Sequence, residues 1–204
     1  MTTETNGKEK PQFILIMGGV CSGKTTFRKE KYSDGYIIID AGEIFIELSK
    51  GEYFDFPSHL EDEMNKIGLA KCRNVINKRE NIVTEIIGTE YEAVQEILDL
   101  MHKVGFETKI EYLECSMDEA WKRNVNRSAD DISAHYCEPY HVKWLKQAVS
   151  EFLNRPQWEQ ANIISIEDQI YDEDVEDYIL GRGNLSEKKK KEIERLLNRH
   201  DRLH

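Results

Sequence analysis

The segment Gly18-Gly19-Val20-Cys21-Ser22-Gly23-Lys24-Thr25-Thr26 gathers the residue types that can hold a chain of phosphates. Gly18, Gly23, Lys24 and Thr25 fill every fixed position of the pattern G-x-x-x-x-G-K-[ST]. Glycine at 18 and 23 permits a tight turn whose N–H groups face inward around an anion. A helix starting near Lys24 would add the partial positive charge of its first turn. Lys24 would then reach the outer phosphates, Thr25 would coordinate Mg²⁺ through its hydroxyl, and Thr26 would touch the innermost phosphate. Cys21 reads as the filler of a variable loop position. An oxidisable thiol is the other reading, and it requires a lowered pKa.

Holding a nucleotide does not say where a phosphoryl group goes. Asp40 directly follows the apolar run Tyr36–Ile39, which puts it at the carboxyl end of a strand, where open parallel sheets bind ligands. There it could take a proton from an acceptor hydroxyl or hold a metal-bound water. It could equally cap the helix that follows. Glu85 lies in a second β-rich run, Asn81–Ile86. A buried carboxylate without a partner is costly, so a cation, ligand or hydroxyl is expected beside it, unless the side chain faces outward. Gly88 and Thr89 follow as a loop over the same sheet edge. Arg123 and Arg127 are four residues apart and would share one helical face, from which two guanidinium groups could offset the charge of a phosphoryl group in transfer. An exposed, salt-bridged helix is the competing reading of that pair. His135 and His141 follow without metal-ligand spacing.

These residues need a scaffold that brings strand ends together. β-rich runs occur at Gln12–Met17, Tyr36–Ile39, Asn81–Ile86, Thr108–Cys115 and Asn162–Ile166. Helical patterns begin near Lys24, Glu43, Leu60, Tyr91, Met117 and Glu138. Such alternation predicts an α/β fold with a parallel sheet covered on both faces.

The glycine loop, the acid after the second strand and the acid in the third resemble the zeta-toxin-like P-loop kinases. So does the passage "GFETKIEYLECSMDEAWKRNVNR", which ends in arginines. Chloramphenicol-phosphotransferase-like kinases share this layout. The resemblance runs from about Pro11 to Ile166 and is strongest in the loop and in Val104–Arg127. It implies a P-loop three-layer sandwich with five parallel strands ordered 2-3-1-4-5, and ATP-dependent phosphorylation of a hydroxyl. Zeta toxins themselves act on nucleotide-linked amino sugars. Carried over, Lys24 would hold the β and γ phosphates, Thr25 the metal, Asp40 would be the base and Glu85 would bind the acceptor. Arg123 or Arg127 would be the lid arginine. His135, in "SAHYCEP", stands where the family tends to place a further basic lid residue. Thr89 and His135 are therefore added to Glu85 as acceptor-side candidates.

Composition narrows the rest. The chain has 204 residues with 39 acidic against 28 basic side chains, a formal net charge of −11. Broad contact with nucleic acid or anionic membrane is disfavoured, so phosphate binding must be local. No apolar run reaches the roughly 20 residues of a membrane span. The cysteines, Cys21, Cys72, Cys115 and Cys137, form neither a zinc pattern nor a disulfide framework, which fits a reducing cytoplasm. Residues 1–10 read as a polar, disordered leader and 11–180 as the kinase domain. The acidic run Glu167–Leu180 reads as a solvated helix face. Residues 181–204 read as a basic helix capped by Ser186, suited to docking or oligomerisation, a frayed tail, or anion binding. The expected function is a kinase using ATP (or GTP) with Mg²⁺ on a small-molecule or nucleotide hydroxyl. A regulatory nucleotide-binding module and a 5′-hydroxyl polynucleotide kinase are the alternatives.

Overall fold

Strand β1 (Gln12–Gly18) lies between two parallel neighbours. That position explains its unbroken apolar run, since Phe13 to Met17 are each no more than 3% exposed. It belongs to a computed structural model that describes residues 10–49, 58–127, 136, 138–158, 161–165, 170, 172–182 and 185–200. Residues 1–9 of the proposed leader, and His135, lie outside the described residues.

The sheet is completed by β2 (Tyr36–Ile38), β3 (Asn81–Ile86), β4 (Glu107–Glu114) and β5 (Asn162–Ser165), in the spatial order β2-β3-β1-β4-β5. This is the expected 2-3-1-4-5 order. The helices are α1 (Lys24–Lys31), α2 (Ala41–Ser49), α3 (Ser58–Lys78), α4 (Tyr91–Lys103), α5 (Met117–Val125) and α6 (Pro139–Leu153). Most starts fall within two residues of the sequence reading. The main correction is at α5. It stops at Val125 with Asn126 as its C-cap, so Arg127 lies beyond the helix and the shared-face argument for Arg123 and Arg127 fails.

The two faces of the sheet differ in chemistry. Phe13, Leu15, Met17, Ile82 and Tyr112 join Val94, Leu98 and Met101 of α4, and Val149 and Phe152 of α6, in one apolar cluster. Alternation places Ile14 and Ile16 on the opposite face. Ile16 is in register with Glu85 of β3 and Glu111 of β4. The neighbours of the central strand therefore present carboxylates there. Helix α1 and its C-cap residue Tyr32 answer both. Arg28 Nε donates to Glu85 Oε1, and the Tyr32 hydroxyl donates to Glu111 Oε1 at 2.6 Å. Glu111 also accepts from Asn162 Nδ2 at 2.6 Å and pairs with Lys109.

Residues up to Ile163 form one compact unit, and Ile164–His204 forms a second. The latter contains α7 (Asp172–Ile179) and α8 (Glu187–His200). Its helices are joined by Lys189 to Asp174 at 2.7 Å and by the Tyr178 hydroxyl to Glu194 at 2.6 Å. Ser186 caps α8 by accepting the Lys189 N–H at 3.2 Å, which is the role read from sequence.

Glu111 is only 2% exposed, so losing one of its donors leaves part of a buried charge unsatisfied. Replacing Tyr32 with Phe should lower stability by about 1.5–3 kcal/mol, the range for hydrogen bonds to charged groups. The check is a lowered urea midpoint with an unchanged m-value.

Candidate active site

The phosphate loop starts where β1 ends. A Cβ on Gly18 would sit 2.5 Å from Ser22 Oγ and 2.8 Å from the Leu113 carbonyl oxygen, so only glycine fits. Gly23 turns the chain into α1 with φ 88°, a left-handed conformation that glycine adopts without strain. No side chain caps α1, and its first turn carries no acid. Its leading N–H groups are thus left to a ligand, and the positive helix end is uncompensated. By contrast, α5 is capped in the ordinary way, with the Glu119 N–H donating to Ser116 Oγ at 3.2 Å.

Lys24 folds back over this cradle. Its Nζ donates to the carbonyl oxygens of Gly18 and Gly19, both at 2.9 Å. Burial lowers its pKa to about 8, with Glu85 and Asp40 among the groups opposing the shift. Thr25 Oγ1 donates to Glu85 Oε2 at 2.9 Å. The cradle, the uncapped helix and this hydroxyl–carboxylate pair all fit a Mg²⁺–nucleotide. Thr25 would hold the metal and Glu85 would stand behind it. Among the described residues, no group of three or more His, Cys, Asp or Glu forms a separate metal cage. Mg²⁺ that arrives with phosphates does not need one.

Strand register brings the acids together. Ile38 pairs with Val83, so Asp40, two residues on, is level with Glu85, and Glu85 is level with Ile16 beside the loop. Asp40 Oδ1 accepts the Gly42 N–H at 2.6 Å, and its carbonyl accepts the Ile44 N–H at 3.1 Å. It therefore does cap α2. Its Oδ2 stands 3.9 Å from Arg28. Both readings of Asp40 thus fit one residue, with capping on one oxygen and the other turned toward the cluster. Burial raises its pKa, and the neighbouring Glu85 raises it further.

A cleft of about 730 Å³ joins these groups, and it is lined by Lys24, Thr25, Asp40, Glu85, Thr89 and Arg127 among others. Arg123 does not line it and instead pairs with Glu119 at 2.7 Å. Burial pushes the Cys21 pKa up, and the opposing pull of Arg127, Lys24 and Arg123 does not cancel it. A raised pKa is the opposite of what a reactive thiolate requires.

Three participants escaped the sequence reading. Arg28, 3% exposed, is the cation at the centre of the cluster, donating to Glu85 and also to Glu43 at 2.9 Å. Its signal was present, since Arg28 follows Lys24 by one helical turn and shares its face. Glu43 is the second. The third is Tyr136, which lines the cleft. Asn124 on α5 holds it by both backbone groups, donating to the Tyr136 carbonyl at 2.6 Å and accepting its N–H at 3.0 Å.

A five-stranded parallel sheet in this order, with a glycine loop entering a helix after its central strand, defines a P-loop nucleotide-binding fold of the kinase type. The Zeta toxin family model matches residues 1–175, and the chain belongs to that family. Solved structures are similar in fold. A "putative kinase" from Chloroflexus aurantiacus superposes with a TM-score of 0.61 at 12% identity, covering 86% of this chain and 100% of that one. A chain of the Pnkp1/Rnl/Hen1 RNA repair complex gives 0.57 at 14% identity, covering 74% of this chain and 48% of its own length. AvrRxo1-ORF1:-ORF2 with ATP gives 0.55 at 13% identity, covering 79% and 56%. Among curated proteins, none matches the sequence. Among the described residues, no helix is long and apolar enough to cross a membrane.

The Lys24 geometry gives a pH-dependent prediction. Its pKa in the folded chain is about 8, against an ordinary 10.5. Between those values the unfolded chain holds more protons, so this group's contribution to stability rises with pH across that window. At pH 7 without nucleotide, K24M should stay within about 1 kcal/mol of wild type, because relief of a buried charge offsets the lost hydrogen bonds. From pH 8 upward wild type should gain stability relative to K24M. Thermal shifts across pH would show this, and Mg²⁺–ATP should stabilise wild type only.

Proposed function

We propose that this protein is a kinase that moves the γ-phosphoryl group of ATP to a hydroxyl of a small molecule. The observation that carries the reading is that Asp40 and the phosphate-loop residues Lys24 and Thr25 line one cleft. When bound, ATP with Mg²⁺ supplies the phosphoryl group and part of the charge compensation.

The protein's own groups divide the remaining work. The loop N–H groups and Lys24 hold the phosphates. Asp40, through the oxygen not used in capping, accepts the acceptor's proton as that hydroxyl oxygen bonds to the γ-phosphorus. The β–γ bridging bond breaks and ADP leaves. Arg127 offsets charge on the group in transfer. Arg28 fixes Glu85, which aligns the Thr25 hydroxyl. Thr89 lies on the acceptor side of the cleft. The roles of Glu85 as an acceptor ligand and of His135 as a lid residue belong to the same proposal.

Three measurements test it. D40N should lower kcat by about 10²–10⁴ while keeping most of the nucleotide affinity. A loss of Mg²⁺–ATP affinity with turnover intact at saturation would instead make Asp40 a metal or structural group. In wild type, kcat should fall with acidification at a pH above that of an ordinary aspartate, because the base works only when ionised and its pKa is raised. The arginines should separate. R127A should reduce kcat more than R123A, whose side chain is engaged by Glu119 outside the cleft. Equal losses in single-turnover transfer would remove that distinction.

A further inference from the structure

Asp40 and Glu43 stand at the spacing of a capping box, a capping residue at the helix start and a glutamate three residues on. Half of that box is formed. The Asp40 carboxylate accepts the Gly42 N–H at 2.6 Å and also the Glu43 N–H. A Cβ on Gly42 would come within 3.0 Å of Asp40 Oδ1, so glycine leaves that oxygen its room. In the usual box the glutamate side chain reaches back to the first N–H of the motif. Glu43 Oε1 reaches across to α1 instead, and accepts from Arg28 Nη2 at 2.9 Å.

That bond decides where the Arg28 guanidinium points. Its Nε donates to Glu85 on β3 and its Nη2 to Glu43 on α2, so the fork is split between two carboxylates. Asp40 Oδ2 lies 3.9 Å from the same Nη2, beyond hydrogen-bond reach. Glu43 and Asp40 thus face one guanidinium nitrogen, and Glu43 holds it. If that bond passed to Asp40, it would favour the ionised carboxylate and weaken it as a base. Among the described residues, the other charges felt at Asp40 are Glu85 of β3 and Lys24 of α1. Lys29, Glu90 and Arg127 line the same cleft. The raised pKa of Asp40 fits an Arg28 kept at a distance.

Resting on the kinase reading above, we propose that Glu43 is a positioning residue, which holds Arg28 so that the cleft-facing oxygen of Asp40 stays open to the acceptor hydroxyl. It acts through Arg28 and not on the reacting atoms.

Full-length E43A and E43Q test this role, at a side chain that is 45% exposed and so tolerant of both. In a crystal structure of E43A, Arg28 should close on Asp40 to a hydrogen-bond distance of about 2.9 Å. The Asp40 carboxyl, followed by carboxyl-carbon NMR and assigned with D40N, should bind its proton about tenfold more weakly. E43Q keeps an acceptor oxygen for Arg28 and should stay nearer wild type in both readings. An Arg28 that stays in place in E43A, or an unmoved Asp40 titration, overturns the proposal. So does an E43Q shift as large as that of E43A, since loss of charge would then be the whole cause. Activity is read as label passing from γ-labelled Mg²⁺–ATP into an unfractionated metabolite extract. E43A should transfer about tenfold more slowly, with its KM for ATP within about twofold of wild type. Equal rates in E43A and an active wild type overturn the positioning role alone. A wild type that transfers no label overturns the kinase reading, and the role of Glu43 with it.

Discussion

Two buried carboxylates beside the central strand hold helix α1 in place, and the cleft depends on that attachment. Glu85 and Glu111 are both in register with Ile16, and α1 meets them with Arg28 and Tyr32 about one turn apart. These are polar contacts on a sheet face, so they fix direction as well as distance. The N-terminus of the same helix forms one wall of the phosphate loop. Tying its far end to the sheet sets where its leading N–H groups point. Removing one member of the Arg28–Glu85 pair would leave a buried charge without its partner, which costs far more than the pair contributes in isolation.

The site also economises on residues. Asp40 caps α2 with one oxygen and turns the other to the cleft. Glu85 accepts from Arg28 with one oxygen and from Thr25 with the other. Each carboxylate is thus held by the fold while lining the cleft. Pre-positioned groups of this kind need no reorganisation at the moment of reaction. The raised pKa of Asp40 and the lowered pKa of Lys24 have a common origin in burial.

Much of this was legible in the residue order. The glycine loop announces itself because its backbone demands are met by few residue types, as the close approach at Gly18 shows. Strand positions and helix starts follow from apolar periodicity, whereas the strand order is what the family resemblance implies. The acids at 40 and 85 were visible as charges at the ends of apolar runs, but their convergence needs the strand register, which one sequence does not print. Arg28 was overlooked for a different reason. On an exposed helix a basic residue is unremarkable, and only the acids beneath α1 make it central. The arginine pair failed because α5 ends at Val125, before the spacing from 123 to 127 can be helical. A hydrogen-bonded side chain binding a distant backbone, as Asn124 does at Tyr136, leaves no periodic trace at all.

That last contact bears on how such a site can change over generations. Asn124, 3% exposed, grips the main chain at 136 and takes nothing from the tyrosine ring in those two bonds. Any residue with an ordinary backbone N–H can be held there in the same place. Residue 136 borders the cleft, so mutation there can alter the cleft's wall without moving the chain that carries it. Position 136 is in this sense an interchangeable tooth on a fixed key, and ligand preference among descendants of this protein can drift there while the phosphate machinery stays untouched.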